Sequence, residues 1–252
     1  MPAESPEFIF PDWSAPENIK AAVTTRRGGV SLPPYNGFNL AGHVGDEHQH
    51  VEQNRQLLEN SLNLPQSPLW LSQVHGQQVV DANTSSTDVE ADASFSLKTD
   101  TVCAVMTADC LPVLFCDRQG RAVAAAHAGW RGLAAGILQA TASKLQQKLD
   151  CPANELMAWM GPAIGSQTFE VGGEVRDAFI SQNKQHALAF TDSRQNHWLA
   201  DIYALASITM QVHGIESIYG GGFCTVTDDA RFYSFRRESK TGRMASLIWM
   251  SK

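Results

Sequence analysis

The sequence is short of positive charge. Its 19 Lys and Arg are outnumbered by 26 Asp and Glu, which leaves a formal net charge of −7, the opposite of the basic footprint of a nucleic-acid binder. No nucleic-acid partner is therefore expected, although a few local arginines still suffice to hold a small anion. Long apolar runs are also missing. Nothing approaches the ~20 residues needed to span a bilayer, so no membrane partner is expected. Met1 to Trp13 shows no basic stretch leading into an apolar one, so no secretory signal is expected. Cysteine is scarce and odd in number, with Cys103, Cys110, Cys116, Cys151 and Cys224. Their placement in mostly apolar segments suits reduced thiols in the cytoplasm. Internal repeats, charge blocks and low-complexity linkers are absent, so residues 1–252 read as a single domain. Nothing in this pattern specifies an oligomer.

What is present is ordinary globular material, 43% hydrophobic, with strand and helix periodicities interleaved. Ala21–Thr25 reads as a strand closed by the loop Arg26-Arg27-Gly28-Gly29. Val51–Leu62 has helical spacing, with Val51, Leu57, Leu58 and Leu62 as its buried stripe. Leu69–Val74 reads as a strand turning at Gly76 into Gln77–Val80. Val102–Met106, Val113–Cys116 and Ala122–Ala126 are three strand-length apolar runs. Gly132–Leu149 then takes up helical spacing, and strands and helices continue to alternate to Gly220. The fold class is α+β, with mixed β-sheets and helices packed outside.

The chemistry concentrates around the turn Asp117-Arg118-Gln119-Gly120. A two-residue loop there sets Cys116 against Arg121 and, counting back, Cys110 against His127. Opposed residues in an antiparallel pair have Cβ atoms roughly 4.5–5.5 Å apart on one face, close enough to share a metal. Pro112 is a potential bulge that would shift this register. A helix starting near Arg131 would point free N–H groups toward the same end of the sheet, a natural place for an anion. The spacing matches neither Cys-x-x-Cys nor His-Glu-x-x-His. Cys110 also suits an ordinary buried thiol or a thiolate–imidazolium pair with His127 for nucleophilic catalysis. His75, taken alone, reads as a hydrogen-bonded structural histidine.

Several segments together resemble the YfiH-like, laccase-domain family. They are Thr24–Gly29, Phe38-Asn39-Leu40, Gln73-Val74-His75-Gly76, Thr107-Ala108-Asp109-Cys110-Leu111-Pro112 and His127-Ala128-Gly129-Trp130-Arg131-Gly132. Gly161–Gly165, Arg231–Arg237 and Thr241-Gly242-Arg243-Met244 complete the match, which runs in order from about residue 20 to the end of the chain. The resemblance implies one domain of mixed sheets and a metal site made by His75, Cys110 and His127, with zinc as the metal and copper as an alternative. It also implies a purine nucleoside enzyme: phosphorolysis of adenosine, inosine, guanosine and methylthioadenosine, and deamination of adenosine. Its partners are then a purine nucleoside and phosphate. Two alternatives accompany it, a peptidoglycan-precursor editing hydrolase acting on cell-wall precursors through Cys110 and His127, and a copper-dependent polyphenol oxidase.

Three protein ligands leave one coordination position open, as in catalytic zinc sites, where the metal lowers the pKa of bound water toward ~7. The His-x-Glu and Pro-Cys-x-x-Cys signature of the known zinc deaminases is absent. Cys110 is thus a catalytic candidate as well as a ligand. Asp109 beside it is a candidate proton carrier, or equally a turn-capping residue. Phosphate calls for arginine. Arg26, Arg27, Arg131, Arg236, Arg237 and Arg243 all lie in the quoted motifs, and Arg26 and Arg237 are the favoured pair. Asn39 and His43 are candidate hydrogen-bonding groups for sugar or base. Phe38 is either a purine-stacking ring or, with more weight, a core residue.

Overall fold

The computed structural model describes residues 5–252. In chain order the strands are β1 Phe8–Ile9, β2 Ile19–Thr24, β3 Leu71–Ser72, β4 Val79–Asp81, β5 Val89–Glu90, β6 Ala93–Ser96, β7 Cys103–Thr107, β8 Leu111–Asp117, β9 Val123–Ala128, β10 Leu156–Met160, β11 Glu170–Gly172, β12 Phe190–Asp192, β13 His197–Ala200, β14 Ser217–Gly220 and β15 Met244–Met250. The helices are α1 His48–Leu62, α2 Trp130–Ala135, α3 Ile137–Leu149, α4 Gly173–Ile180 and α5 Ile202–Val212.

Two sheets dominate. A four-stranded antiparallel sheet has the order β1-β2-β15-β7, and a six-stranded mixed sheet has the order β14-β10-β8-β9-β6-β4. The side-chain period of two explains why their strands read as unbroken apolar runs. In β8, Leu111, Val113 and Phe115 join the core under α3 and α5, while Leu114 and Cys116 join the core shared with the four-stranded sheet. β9 divides in the same way, with Ala124, Ala126 and Ala128 toward the helices and Val123 and Ala125 toward the other sheet. A strand covered on both faces carries apolar residues at every position. The far face of the four-stranded sheet packs Ala104, Met106, Leu247 and Trp249 against Leu58 of α1. The layers therefore run helix, sheet, sheet, helix, which matches the expected mixed sheets with helices outside.

Several boundaries differ from expectation for local reasons. The Val51–Leu62 helix begins earlier, at His48. Its buried positions are Val51, Asn54 and Leu58, because Asn54 turns inward to bond Ser31, Gly37 and Asn39. The Gly132–Leu149 helix is two helices, broken at Gly136, whose φ of 104° no L side chain adopts readily. The helix foreseen near Arg131 is therefore only the six-residue α2, too short to carry a substantial macrodipole. The Leu69–Val74 strand shrinks to Leu71–Ser72. Beyond it, the N–H groups of Val74, His75 and Gly76 turn to a side chain instead of a neighbouring strand.

The β8–β9 register also departs from the tight turn. Cys116 faces Val123 and His127 faces Pro112. The loop is longer because the buried Asp117 carboxylate accepts from the N–H groups of Arg121 (2.6 Å) and Ala122 (3.0 Å), holding those residues out of the ladder. A slip of two residues preserves the face of every side chain, so Cys110 and His127 remain on the same side of the sheet. Pro112 makes no bulge. Its carbonyl accepts from Gly161 just past the end of β10, and the Gly161 carbonyl, which proline cannot serve, accepts from the Tyr203 hydroxyl at 3.2 Å. Among the described residues no helix is long and apolar enough to cross a membrane.

Candidate metal centre

The ends of β7 and β9, the starts of β8 and β15 and the loop before β4 meet at one edge of the layered sheets. Here the ligand atoms of His75, Cys110 and His127 all lie within 4.8 Å of one another, and among the described residues this is the one such group of three or more. Cys110 Sγ is 3.7 Å from His75 Nε2. Around a tetrahedral ion with bonds of about 2.0–2.3 Å, neighbouring N and S ligands stand about 3.5 Å apart. The spacing fits one ion, and two imidazoles with a thiolate suit zinc or a soft copper ion.

Asp92 organises the group, and sequence reasoning missed it. Its carboxylate is fully buried. It accepts from His127 Nδ1 at 2.7 Å, which leaves His127 Nε2 as the ligand atom. It also accepts the backbone N–H groups of His75 at 2.9 Å and Gly76 at 2.7 Å. One carboxylate therefore aims one imidazole through its ring and the other through its backbone, where His75 sits in the left-handed region with φ 61°. Burial opposes the charge on Asp92, yet the His127 hydrogen bond and the Gly76 N–H hold the carboxyl below its usual range.

Space is reserved just as tightly. Gly129 has an ordinary φ of −63°, so backbone freedom does not explain it. A Cβ there would stand 2.7 Å from His75 Cδ2 and 2.9 Å from Cys110 Sγ. Only a residue without a side chain lets the thiol and imidazole close on each other.

Without metal, the same groups form a coupled acid–base pair. Burial alone would push the Cys110 thiol up, but the adjacent His127 charge and hydrogen bonds from both imidazoles bring it down to about 6. Burial likewise disfavours charge on His127, but the Cys110 thiolate and Asp92 raise it to about 9. A depressed thiol contributes stability above its unfolded value and loses it as pH falls through 6. A raised imidazole contributes below its unfolded value and loses it as pH rises through 9. The ion pair is thus intact between about pH 6 and 9. Alkylation of Cys110 in metal-stripped protein, located by peptide mapping, should have its midpoint near pH 6. A midpoint at the ordinary thiol value of about 8.5 would contradict the pairing.

A cavity of about 440 Å³ opens against the triad, in the range of small-molecule sites. Ile164, Phe169 and Ile202 give it an apolar wall, and His43, Arg131, Arg236 and Arg243 give it polar groups. Arg243 is pinned: Nη1 donates to the Thr241 and Gly242 carbonyls at 2.9 and 3.0 Å, and its N–H donates to Asn39 Oδ1 at 2.9 Å. Desolvation and the neighbouring Arg243 and Arg55 push His43 below its ordinary value, which favours the uncharged imidazole.

The expected substrate residues divide on this geometry. His43 lines the cavity. Asn39 is completely buried and bonds Asp46 and Ala41, so it acts on the cavity through Arg243. Phe38 is fully buried core, out of reach of a ligand. Arg26 lies over the Tyr233 ring and lines a separate hollow with Arg27 and Asp229. Arg237 donates to the carbonyls of Thr225, Val226 and Phe232 at 2.8–3.1 Å, so its fork is spent on the fold. Motif membership favoured Arg26 and Arg237, whereas the cavity holds Arg131, Arg236 and Arg243. Asp109 lines the cavity, but Thr225 Oγ1 and the Arg236 N–H each donate to it at 2.6 Å. These bonds make it an anchor for the C-terminal segment.

Comparison with known proteins agrees with this architecture. Residues 20–251 match the family described as multi-copper polyphenol oxidoreductase laccase. The chain is 52% identical to the Pseudomonas aeruginosa protein named purine nucleoside phosphorylase PA4543, over 96% of this chain and 98% of that one. It is 51% identical to Escherichia coli purine nucleoside phosphorylase YfiH, over 97% and 99%. The crystal structure of Neisseria meningitidis protein NMB0706 superposes with a TM-score of 0.91 at 47% identity, covering 97% of this chain and 99% of that one. The chain is a member of the YfiH-like laccase-domain family.

Proposed function

We propose that this protein is a zinc-dependent purine nucleoside phosphorylase working in a reducing, cytoplasmic setting. The observation that carries the reading is the convergence of His75, Cys110 and His127 on a cavity lined by Arg236 and Arg243. The names of the relatives above point the same way. Zinc held by these three ligands would supply Lewis acidity at its open position.

The chain's own residues supply the rest. Arg243 is held rigid by its bonds to Thr241 and Gly242, so it can offer its remaining N–H donors to phosphate with little loss of side-chain freedom. Arg236 is fixed through its own N–H on Asp109 and adds a second positive charge. His43, which lines the cavity, can exchange hydrogen bonds with phosphate or a sugar hydroxyl. A phosphate oxygen held here forms the bond to the sugar C1′ as the bond from C1′ to the purine nitrogen breaks, and the purine leaves with that electron pair. We extend the reading to adenosine, inosine, guanosine and methylthioadenosine as substrates, and to deamination of adenosine. The test is to incubate zinc-quantified protein with each nucleoside, with and without phosphate. Free base and ribose 1-phosphate appearing only with phosphate supports the reading, and no base release from any nucleoside overturns it.

The arginine assignment makes a sharper prediction. Arg243→Ala should raise the phosphate KM by roughly ten- to a hundredfold, the worth of a charged hydrogen bond, while zinc content stays unchanged. Arg237→Ala should instead lower the melting temperature and leave the phosphate KM alone. The reverse pattern would return phosphate to Arg237.

One observation favours a second reading. Cys110, His127 and Asp92 form a thiol–imidazole–carboxylate series with a 2.7 Å link between the last two, the layout of an activated nucleophile. In that case the protein is a hydrolase acting on a cell-wall precursor without metal. Turnover that survives chelation but dies on alkylation of Cys110 would select it.

A further inference from the structure

Six large hydrophobic side chains are exposed among the described residues: Phe10, Leu32, Val74, Leu188, Val212 and Phe235. Phe235 alone of these lines the cavity that holds the triad. Its exposure is not a matter of local looseness. Phe232, Tyr233 and Ser234 immediately before it are fully buried, whereas Phe235 is 55% exposed. The next backbone N–H, that of Arg236, is bonded to the Asp109 carboxylate at 2.6 Å. One step further on, the Arg237 N–H bonds Ser234 Oγ at 3.2 Å. The backbone on both sides is thus fixed, and a large apolar ring is held at the cavity mouth with more than half its surface uncovered. The Arg243 guanidinium stands 5.8 Å from the ring centroid.

We infer that Phe235 is the stacking surface for the purine base, and so the residue that admits a flat heteroaromatic ring to this site. The inference rests on the nucleoside reading above and names a residue for it. The division of labour follows from chemistry. The metal ligands and arginines suit the sugar and phosphate oxygens, but none of them offers an apolar plane. A base needs such a plane, because stacking removes its faces from water and aligns its ring with another π system. Phenylalanine carries no donor or acceptor, so it senses ring shape and ignores exocyclic groups. Adenine, hypoxanthine and guanine should be held alike, as stacking platforms hold every base.

The test uses zinc-loaded protein in three forms: wild type, Phe235→Ala and Phe235→Leu. Adenosine and inosine binding is measured by calorimetry without phosphate, and steady-state phosphorolysis with it. Loss of the ring should weaken binding of both nucleosides and raise their KM by roughly tenfold. The factor should be the same for the two nucleosides and clearly larger than any change in phosphate KM, because the ring also borders Arg243, with zinc content unchanged. Leucine keeps the apolar bulk and removes the π face, so it should fall with alanine. If the alanine variant does not fold, the leucine variant decides. Nucleoside KM within twofold of wild type in the leucine variant overturns the inference, as does an equal rise in phosphate KM. If wild-type protein neither binds nor cleaves either nucleoside, the phosphorylase reading itself fails and takes this inference with it.

Discussion

Alanine at position 110 is expected to abolish both stoichiometric zinc and nucleoside turnover while leaving the metal-free protein folded. The thiolate is one of three protein ligands. Small zinc sites gather about 10–16 kcal/mol from a complete ligand set, so the loss of one ligand should weaken binding by at least about a hundredfold. The fold should tolerate the change. Cys110 is only half-buried, and its neighbours Asp109 and Pro112 are tied into the structure independently of the thiol, through Thr225, Arg236 and Gly161. Metal analysis, circular dichroism and a phosphate-dependent assay on Cys110→Ala make the check. A variant that keeps a full complement of zinc and full turnover would remove Cys110 from the centre.

The second large effect belongs to Asp92. Asp92→Asn keeps the shape but turns one acceptor oxygen into an N–H₂ group facing N–H donors. Val74, His75, Gly76 and His127 all donate to this carboxylate, so at least one donor is left buried and unmatched, at a cost of about 1–3 kcal/mol. The ring of His127 also loses its anionic partner, and changes of this kind weaken metal binding by about 10- to 100-fold. Zinc competition and thermal melting of the metal-free variant should therefore both move. Unchanged zinc affinity would show that the imidazoles are aimed by something else. Because hydrogen bonding depresses the Asp92 carboxyl, its contribution is complete at neutral pH and fades only as pH falls below the usual carboxylate range. Effects of pH on the metal-free site between 6 and 9 then belong to Cys110 and His127.

The layered sheets were legible in the sequence because they depend on periodicity and side-chain face, and the same reasoning set Cys110 on the face of His127, whereas His75 joined them only through the family resemblance. The misjudged turn after Asp117 cost two residues of register, and a two-residue slip is the error that a period of two forgives. The arginines were not legible in the same way. Arg26, Arg237 and Arg243 all stand in motif-dense segments, and whether a guanidinium faces a cavity or caps a set of carbonyls depends on chain crossings that span the whole molecule. Arg243, for example, is positioned by Asn39, 204 residues away. Asp92 had one local signal, a charged residue between Ala91 and Ala93 at the start of the strand Ala93–Ser96. An acid in such a run is buried, and a buried acid needs donors. What those donors are is settled by the His75 loop and β9, which no local pattern connects to it.

The position of β15 bears on how this molecule comes into being. Met244–Met250 lies between β2 and β7 in the middle of its sheet, although it is synthesised more than a hundred residues after either. Until it emerges from the ribosome, β2 and β7 each present an unpaired rim of the kind that invites intermolecular strand pairing. Arg243 and the ring of Phe235 reach the cavity on the segment that leads into this strand. The three metal-ligand candidates are thus translated well before the two side chains that line the cavity beside them.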